Sequence, residues 1–257
     1  MEININCDLG EKSKFHSIKN DPELLNIVNS ANIACGFHAG DEQTMEMVIQ
    51  ISKKNGVSMG AHPSFNDPEN FGRKRMNLSS LEIKKLIFEQ YEILQKIAQR
   101  HNENVTHIKP HGALNNMACE DLELATTLAI AIKEINKDII YLVPTGSQME
   151  VAAKKNDMKI ACEIFADRNY EDDGNLISRK KPNALITDPE QAKKHVLNMV
   201  KNQAINCLSG KQIPCAIDSV CIHGDNISSL ATAKSIKKNL VENGLILKPL
   251  NKLKKFN

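Results

Sequence analysis

The chain alternates short apolar runs with longer segments whose apolar residues recur at helical spacing. The runs are near-continuous, as is typical of parallel strands that are covered on both faces. Seven of them predict strands at Ile3–Cys7, Ala31–Phe37, Val57–Ala61, Thr106–Ile108, Ile139–Val143, Ile160–Phe165 and Ser219–Ile222. No linker or break in composition interrupts this order, so we predict one α/β domain over residues 1–257. The pattern leaves two architectures open, a closed barrel and an open doubly wound sheet.

The helical segments carry recognisable start and stop signals. Asp21-Pro22 predicts an N-cap and first turn ahead of the apolar residues of Leu24–Val28. Asp41 predicts a second N-cap, and Gly56 marks the end of that helix. Ser79–Glu82 has the spacing of a capping box.

Two connections are longer than is usual in a compact domain. They are Pro63–Leu78 and Arg168–Thr187. Connections of this length are commonly functional loops, so we expect both to border a site.

Composition excludes several classes of protein. Hydrophobic residues make up 41% and charged residues 25% of the chain, which is typical of a globular protein. The net charge of +2 supplies no strong field for nucleic acid or an anionic membrane. No apolar run approaches the roughly 18 residues of a membrane-spanning helix, and the start of the chain lacks a signal-peptide layout. The seven cysteines show no C-x-x-C spacing, so we expect reduced thiols in a cytoplasmic protein.

Reactive side chains follow six of the seven predicted strands. The carboxyl ends of parallel strands meet at one mouth in a barrel but spread along an edge in an open sheet, so this distribution favours the barrel. In strand order, the groups are Asp8 and Glu11; His38 and Asp41; His62; Lys109 and His111; Glu163, Asp167 and Arg168; His223 and Asp225.

Two features of this set indicate chemistry. Asp8, His38 and His62 follow three successive strands, and a carboxylate with two imidazoles suits zinc or a similar ion. Lys109 lies in an apolar strand, so it requires a carboxylate partner or a functional role. The chain lacks both the G-x-G-x-x-G and the P-loop glycine patterns, so neither type of nucleotide cradle is predicted.

The strand-end motifs resemble those of the LamB/YcsF family. The resemblance spans about residues 2–247, in order. It is carried by Asn6–Glu11, Ala31–Asp41, Gly60–Ser64 with Phe71–Arg73, Lys109–Leu114, Glu163–Tyr170 and Ile222–Asp225.

This resemblance implies a TIM-like (β/α)7 barrel of the glycoside hydrolase/deacetylase type. It also implies one subunit of an ATP-dependent 5-oxoprolinase, which opens the lactam of 5-oxo-L-proline to L-glutamate. ATP, with Mg²⁺, would be a co-substrate, and two further subunits, B and C, would be partners. No nucleic-acid or membrane partner is implied.

Lactam hydrolysis suggests roles for the strand-end residues. Lys109 and Arg168 would face developing negative charge, and Arg73 would hold the substrate carboxylate. The pairs His62 with Asp8 and His223 with Asp225 would exchange protons. The full catalytic set is Asp8, His62, Lys109, His111, Glu163, Asp167, His223 and Asp225, with Glu11, His38, Arg73 and Arg168 binding substrate.

Two other functions remain open at this point. The first is a metal-dependent amidase or carbohydrate deacetylase that acts through Asp8, His38 and His62. The second is a non-catalytic subunit that presents the lactam to its partners. Both would use the same mouth of the barrel.

Overall fold

The seven predicted strands form a closed parallel barrel. The structure is a computed structural model that describes residues 1–222 and 229–257. The barrel strands are β1 Glu2–Leu9, β2 Ser30–Ala34, β3 Ser58–His62, β4 His107–Ile108, β5 Ile140–Pro144, β6 Ile160–Phe165 and β9 Ser219–Ile222. Each strand pairs in parallel with the next one around the barrel, and β9 closes the ring against β1 through the register Asn4↔Ser219. The predicted closed barrel is therefore confirmed.

Helices cover the outside of the barrel. Within the described residues they are α1 Asp21–Leu24, α2 Glu42–Asn55, α3 Ser80–Arg100, α4 Gly112–Glu120, α5 Leu122–Ile135, α6 Gln148–Lys155, α7 Pro189–Asn202 and α8 Ser229–Glu242. The main core lies between these helices and the outward side chains of the strands, such as Ile3, Ile5 and Val220. None of the helices in the described ranges combines the length and the apolar character that crossing a membrane requires.

Most of the predicted helix ends are confirmed. The Asp41 side chain accepts from the Thr44 backbone N–H, and Gly56 ends α2 in the left-handed conformation. Ser79 and Glu82 form the predicted capping box of α3.

The prediction for Asp21 is wrong. The helix α1 is a single turn that ends at Leu24, and Asp21 lies inside it. The Asp21 carboxylate accepts from the backbone N–H of Gly10 at 2.8 Å, so it fastens the loop after β1 instead of capping a helix.

Strand β1 departs from the predicted continuous apolar run. Ile3, Ile5, Cys7 and Leu9 are buried against the helical layer, whereas the alternate residues are polar. Successive side chains of a strand point to opposite faces, so the polar positions line the interior of the barrel.

Within residues 1–222 and 229–257, three short strands lie outside the seven. β7 Ala204–Asn206 and β8 Gln212–Pro214 form an antiparallel hairpin, and β10 Ile246–Leu247 adds to β1. After β10, two 3₁₀ turns at Leu250–Lys252 and Lys254–Phe256 end the chain.

The C-terminal turns close one end of the barrel. Leu250 and Leu253 form a small apolar cluster with Ile140, Leu142 and Ala161, separate from the main core. The open end is therefore the one at which the strands finish.

Candidate functional site

A cavity opens at the carboxyl ends of the barrel strands. Its volume is about 540 Å³. The strand-end side chains that line it are Asp8, Glu11, His62, Lys109, His111, Glu163 and Arg168. Both long connections also line it, the first with Arg73 and Arg75 and the second with residues 174–176 and 178–180. The expectation that these connections border a site is confirmed.

Lys109 lies at the floor of the cavity between two carboxylates and a thiol. Its Nζ is 3.0 Å from Asp8 Oδ1, 3.3 Å from Glu163 Oε2 and 3.1 Å from Cys221 Sγ. Burial by itself lowers the pKa of Lys109, but the surrounding carboxylates and the thiol outweigh it and hold the pKa well above its usual value. Lys109 is therefore a fixed cation at neutral pH.

Glu163 is fully buried, and only one of its two carboxylate oxygens has hydrogen-bond partners among the described residues. Its Oε2 accepts from Asn6 Nδ2 at 3.1 Å and pairs with Lys109. Its Oε1 makes no hydrogen bond with any described residue. Burial raises the pKa of Glu163, and the Lys109 cation offsets only part of that effect. A carboxyl of this kind retains its proton at higher pH than an exposed glutamate does.

A second cluster lies beside Lys109 and consists of Glu11, His38, His62 and His111, which we call the imidazole cluster. One ligand atom from each of these four residues lies within 4.8 Å of the other three. His111 Nδ1 is 3.0 Å from His62 Nε2, and Glu11 Oε1 is 3.1 Å from His38 Nε2 and 3.2 Å from His111 Nδ1. Burial holds the pKa of His38 and of His111 well below the ordinary histidine value, so both rings are neutral at pH 7.

The long connection after β3 packs tightly over this cluster. The rings of His38 and His111 stack with their centroids 3.9 Å apart. Gly72 has a φ of +63°, and a Cβ there would lie 3.0 Å from His38 Cβ and 3.1 Å from His111 Cδ2. Only glycine meets both demands, because it tolerates positive φ and adds no side chain against the rings.

Cationic side chains surround the cavity entrance. Arg73, Arg75, Arg179 and Lys180 come from the two long connections. Arg168 is buried, and its guanidinium donates to the carbonyl oxygens of Ile177 and Ala184, which fixes its position. This distribution of charge suits an anionic ligand.

The structure brings most of the predicted site residues together. Asp8, His62, Lys109, His111 and Glu163 share the cavity with Glu11, Arg73 and Arg168, and His38 lies behind it in the imidazole cluster. Asp167 is buried but does not line the cavity formed by the described residues. His223 and Asp225 lie outside the described residues.

The predicted metal-binding trio is only partly reproduced. His38 and His62 belong to the imidazole cluster, together with Glu11 and His111. Asp8 Oδ2 lies 3.4 Å from His62 Nε2, but the other Asp8 oxygen is paired with Lys109. The ligand set that geometry favours therefore replaces Asp8 with Glu11 and His111.

Sequence reasoning missed two residues that contact the charged groups. Asn6 donates to Glu163, and Cys221 contacts Lys109. The alternation of isoleucine and asparagine in β1 was a usable signal for Asn6, because period-two polarity marks an inward face. Cys221 stands in an apolar run, where nothing distinguishes it from a core thiol.

Comparison with known proteins gives one consistent picture. A family model described as LamB/YcsF family matches residues 3–255. The chain is 42% identical over 252 residues to the A subunit of 5-oxoprolinase from Clostridium beijerinckii, covering 98% of this chain and 99% of that protein.

Solved structures agree with the fold. The lactam utilization protein from Thermus thermophilus matches with a TM-score of 0.90 at 33% identity, covering 96% of this chain and 99% of that one. The catalytic domain of a peptidoglycan N-acetylglucosamine deacetylase from Eubacterium rectale has a TM-score of 0.51 at 13% identity, covering 96% and 87%. The second likeness concerns the fold alone, and it agrees with the predicted deacetylase-type barrel.

Proposed function

The chain belongs to the LamB/YcsF family, and from this premise we propose that it is the A subunit of an ATP-dependent 5-oxoprolinase. In the proposed reaction, 5-oxo-L-proline, ATP and two water molecules give L-glutamate, ADP and phosphate. The observation that carries the proposal is the cavity in which Lys109, Asp8 and Glu163 meet beneath an arginine-rich entrance. The name of the relative from C. beijerinckii supports the choice of substrate.

The chemistry explains why ATP is needed. Amide resonance makes the lactam carbonyl carbon a poor electrophile, and the ring nitrogen is a poor leaving group. Transfer of a phosphoryl group to the amide oxygen makes that carbon more electrophilic. Water then adds, the ring nitrogen leaves with a proton, and the resulting acyl phosphate reacts with a second water to release phosphate.

The cations of the cavity match the charges of such a substrate. A bidentate guanidinium is well suited to a carboxylate, and Arg73 at the entrance is our candidate for the substrate carboxylate. The negative charge that develops on oxygen would face Lys109 and Arg168, both buried. Both are held in place by their partners, so little reorganisation would be required during the reaction.

Two buried oxygens in the cavity lack hydrogen-bond partners among the described residues. They are Glu163 Oε1 and Asn115 Oδ1. A buried oxygen without a partner is costly, so such atoms commonly await a ligand or water. We assign Asn115 Oδ1 to accept the lactam N–H, and protonated Glu163 to donate to the ring nitrogen as it leaves.

The pair of His62 and Asp8 is our candidate for activating water. His62 Nδ1 is 2.7 Å from the carbonyl oxygen of Lys109, which only accepts, so Nδ1 carries the proton. His62 Nε2 then presents its lone pair to the cavity and lies 3.4 Å from Asp8 Oδ2, so His62 would orient the water while Asp8 Oδ2 takes its proton. The pair His223 and Asp225 remains a prediction for the same task.

ATP binding belongs in this proposal to the partner subunits. The sequence has no glycine-rich phosphate loop, so we assign ATP and its Mg²⁺ to subunits B and C. The arginine-rich entrance would then receive the activated lactam from them. All seven cysteines are free thiols, in keeping with the cytoplasm as the compartment.

The decisive experiment measures glutamate released from 5-oxoproline. The full-length chain is assayed alone and together with subunits B and C, with and without ATP. We expect glutamate only from the complete mixture with ATP. Release by the isolated chain without ATP would instead favour an independent amidase.

Variants test the assigned roles. We expect Glu163→Gln to lower kcat by roughly 100-fold to 10,000-fold, the usual contribution of a general acid. Glu134→Gln is the matched control, because Glu134 is exposed and pairs with Lys84 on the surface. Asp8→Asn and Glu163→Gln would contradict our assignment if both turn over at the rate of the control and both bind 5-oxoproline. The chain would then only present the substrate to its partners.

A further inference from the structure

The imidazole cluster has an excess of hydrogen-bond acceptors. Its outer nitrogens identify which ring atoms carry protons. His62 Nδ1 contacts the carbonyl oxygen of Lys109 at 2.7 Å, and His111 Nε2 contacts the carbonyl oxygen of Phe71 at 3.0 Å. A carbonyl oxygen only accepts, so each of these outer nitrogens donates.

The third ring follows the same arrangement. His38 Nδ1 lies 2.9 Å from Ser64 Oγ, and that hydroxyl donates to the carbonyl oxygen of Phe65 at 2.8 Å. With its proton directed to Phe65, the Ser64 oxygen accepts from His38 Nδ1. A ring that carries a single proton, on its outer nitrogen, therefore turns an unprotonated nitrogen toward the other two rings.

With the outer nitrogens as the donors, four acceptor atoms face one another. They are His38 Nε2, His62 Nε2, His111 Nδ1 and Glu11 Oε1. His62 Nε2 and His111 Nδ1 are only 3.0 Å apart, a separation at which two lone pairs repel unless a positive charge lies between them. The arrangement calls for a cation.

The size and chemistry of the cluster select the kind of cation. Zinc binds nitrogen and oxygen ligands at about 2.0–2.2 Å in a tetrahedron, which places neighbouring ligand atoms roughly 3.3–3.5 Å apart. The separations from Glu11 Oε1 to the three rings, 3.1, 3.2 and 3.8 Å, lie around that value. Histidine ligands also characteristically donate their other N–H to a carbonyl or similar acceptor, as all three do here.

We propose that Glu11, His38, His62 and His111 form a binding site for one divalent transition-metal ion of the zinc type. The inference goes beyond the proposed function, since it concerns binding by this chain alone and does not depend on which amide is the substrate. Glu11, His62 and His111 line the cavity, so a bound ion would be accessible from it. An ion there would supply a Lewis acid next to the Lys109 floor.

The test measures metal binding without turnover. The full-length chain is stripped with chelator, dialysed, and titrated separately with Zn²⁺ and Co²⁺, and bound metal is determined by elemental analysis. We expect one equivalent of either ion and a higher melting temperature with Zn²⁺. The Co²⁺ complex should show the visible absorption of a near-tetrahedral site without thiolate charge transfer, which also distinguishes it from binding by the free cysteines.

Variants locate the ion. We expect His111→Gln and Glu11→Gln each to weaken binding on the order of 100-fold or more, because each removes a ligand atom. Ser64→Ala removes the acceptor for His38 and the hydrogen bond to the Phe65 carbonyl but no ligand atom, and it should weaken binding by roughly 10-fold to 100-fold. His101→Gln is the control, since His101 pairs with Glu46 away from the site and should bind as the parent chain does.

Three results would overturn the inference. The first is the absence of stoichiometric binding by the folded parent chain. The second is unchanged affinity in the folded Glu11→Gln and Ser64→Ala variants. The third is an NMR spectrum of the metal-free chain that shows one proton held between His62 and His111 and does not change when Zn²⁺ is added. These measurements do not use 5-oxoprolinase activity, so the metal site can be refuted without refuting the proposed reaction, and the reverse also holds.

Discussion

Replacing Lys109 with methionine tests whether the cation holds the floor of the site together. Methionine keeps an unbranched side chain of similar length but removes the charge between Asp8 and Glu163. The two carboxylates, at 3.0 and 3.3 Å from Nζ in the parent chain, would then face each other without compensation. Removal of one partner from a buried ion pair costs about 3–5 kcal/mol, so we expect a loss of that size in the free energy of unfolding at pH 8.

The pH dependence distinguishes this cause from a simple packing defect. In the parent chain, burial already raises the pKa of Glu163. Loss of the Lys109 cation raises that pKa further. A carboxyl whose folded-state pKa is raised binds more protons in the folded than in the unfolded state, so its contribution to stability is lost as pH rises through the folded pKa. The deficit of Lys109→Met should therefore be largest at pH 8 and shrink toward pH 5.

Urea unfolding at pH 5, 6.5 and 8 measures the effect, and thermal melting provides a second readout. For a chain of this size, 3–5 kcal/mol corresponds to a decrease in melting temperature of roughly 6–20 °C. The control is Lys154→Met, which breaks the Lys154–Glu150 pair, where the lysine is 63% exposed, and should cost less than about 1 kcal/mol. The double variant Lys109→Met/Glu163→Gln should recover roughly 1–3 kcal/mol at pH 8. A deficit that stays the same at all three pH values would refute the electrostatic explanation.

Three further predictions concern stability at other positions, each measured by urea unfolding. Gly72→Ala forces a side chain into positive φ and against His38, so we expect a loss of roughly 1–3 kcal/mol; an unchanged midpoint would contradict the close packing. Burial raises the pKa of Asp21 to about 7, so its ionisation destabilises the fold between about pH 4 and 7. Asp21→Asn keeps an acceptor for Gly10 and should flatten that pH dependence, with a gain of up to ~4 kcal/mol at pH 8, whereas an equally steep profile would argue against the raised pKa. Ser79→Ala removes the N-cap of α3 and should cost about 1 kcal/mol, while Ser80→Ala next to it should cost less than half of that.

The barrel could be predicted because its signals are local. Buried parallel strands produce short apolar runs, and the two runs at Ile160–Phe165 and Ser219–Ile222 match the observed strands residue for residue. The closure of the barrel could be predicted because reactive side chains follow six of the seven strands. The role of Asp21 could not be predicted from the sequence. Its carboxylate accepts from the Gly10 backbone N–H, and the sequence does not show that these two segments are neighbours.

The imidazole cluster shows where prediction from sequence stops. His38 and His62 could be identified by their positions after strands, but position does not determine which ring atom faces inward. That choice depends on acceptors supplied by other segments, namely the carbonyl of Lys109 for His62 and the carbonyl of Phe71 for His111. The predicted ligand set therefore contains Asp8 and lacks Glu11 and His111, because ring orientation cannot be inferred from strand position alone.

The interior of the barrel connects the closed end to the site. At the closed end, the backbone N–H of Leu250 donates to Ser30 Oγ, which also accepts from Asn4 Nδ2. Asn4 Oδ1 accepts from the Ser219 hydroxyl, and Asn6 Nδ2 donates to that hydroxyl in turn. A continuous hydrogen-bonded path therefore runs from the C-terminal turns to the second asparagine of β1.

That path explains why β1 carries asparagine where an apolar residue would normally fill a barrel. Asn6 Nδ2 also donates to Glu163, and Asn6 Oδ1 accepts from Asn32 and lies 3.5 Å from Lys109 Nζ. Both ends of the amide are thus used, and the amide cannot flip without breaking contacts with Ser219 and Glu163. Buried charges require fixed donors and acceptors around them, and an apolar interior would provide none. The polar interior therefore holds Lys109 and Glu163 in place at the floor of the cavity.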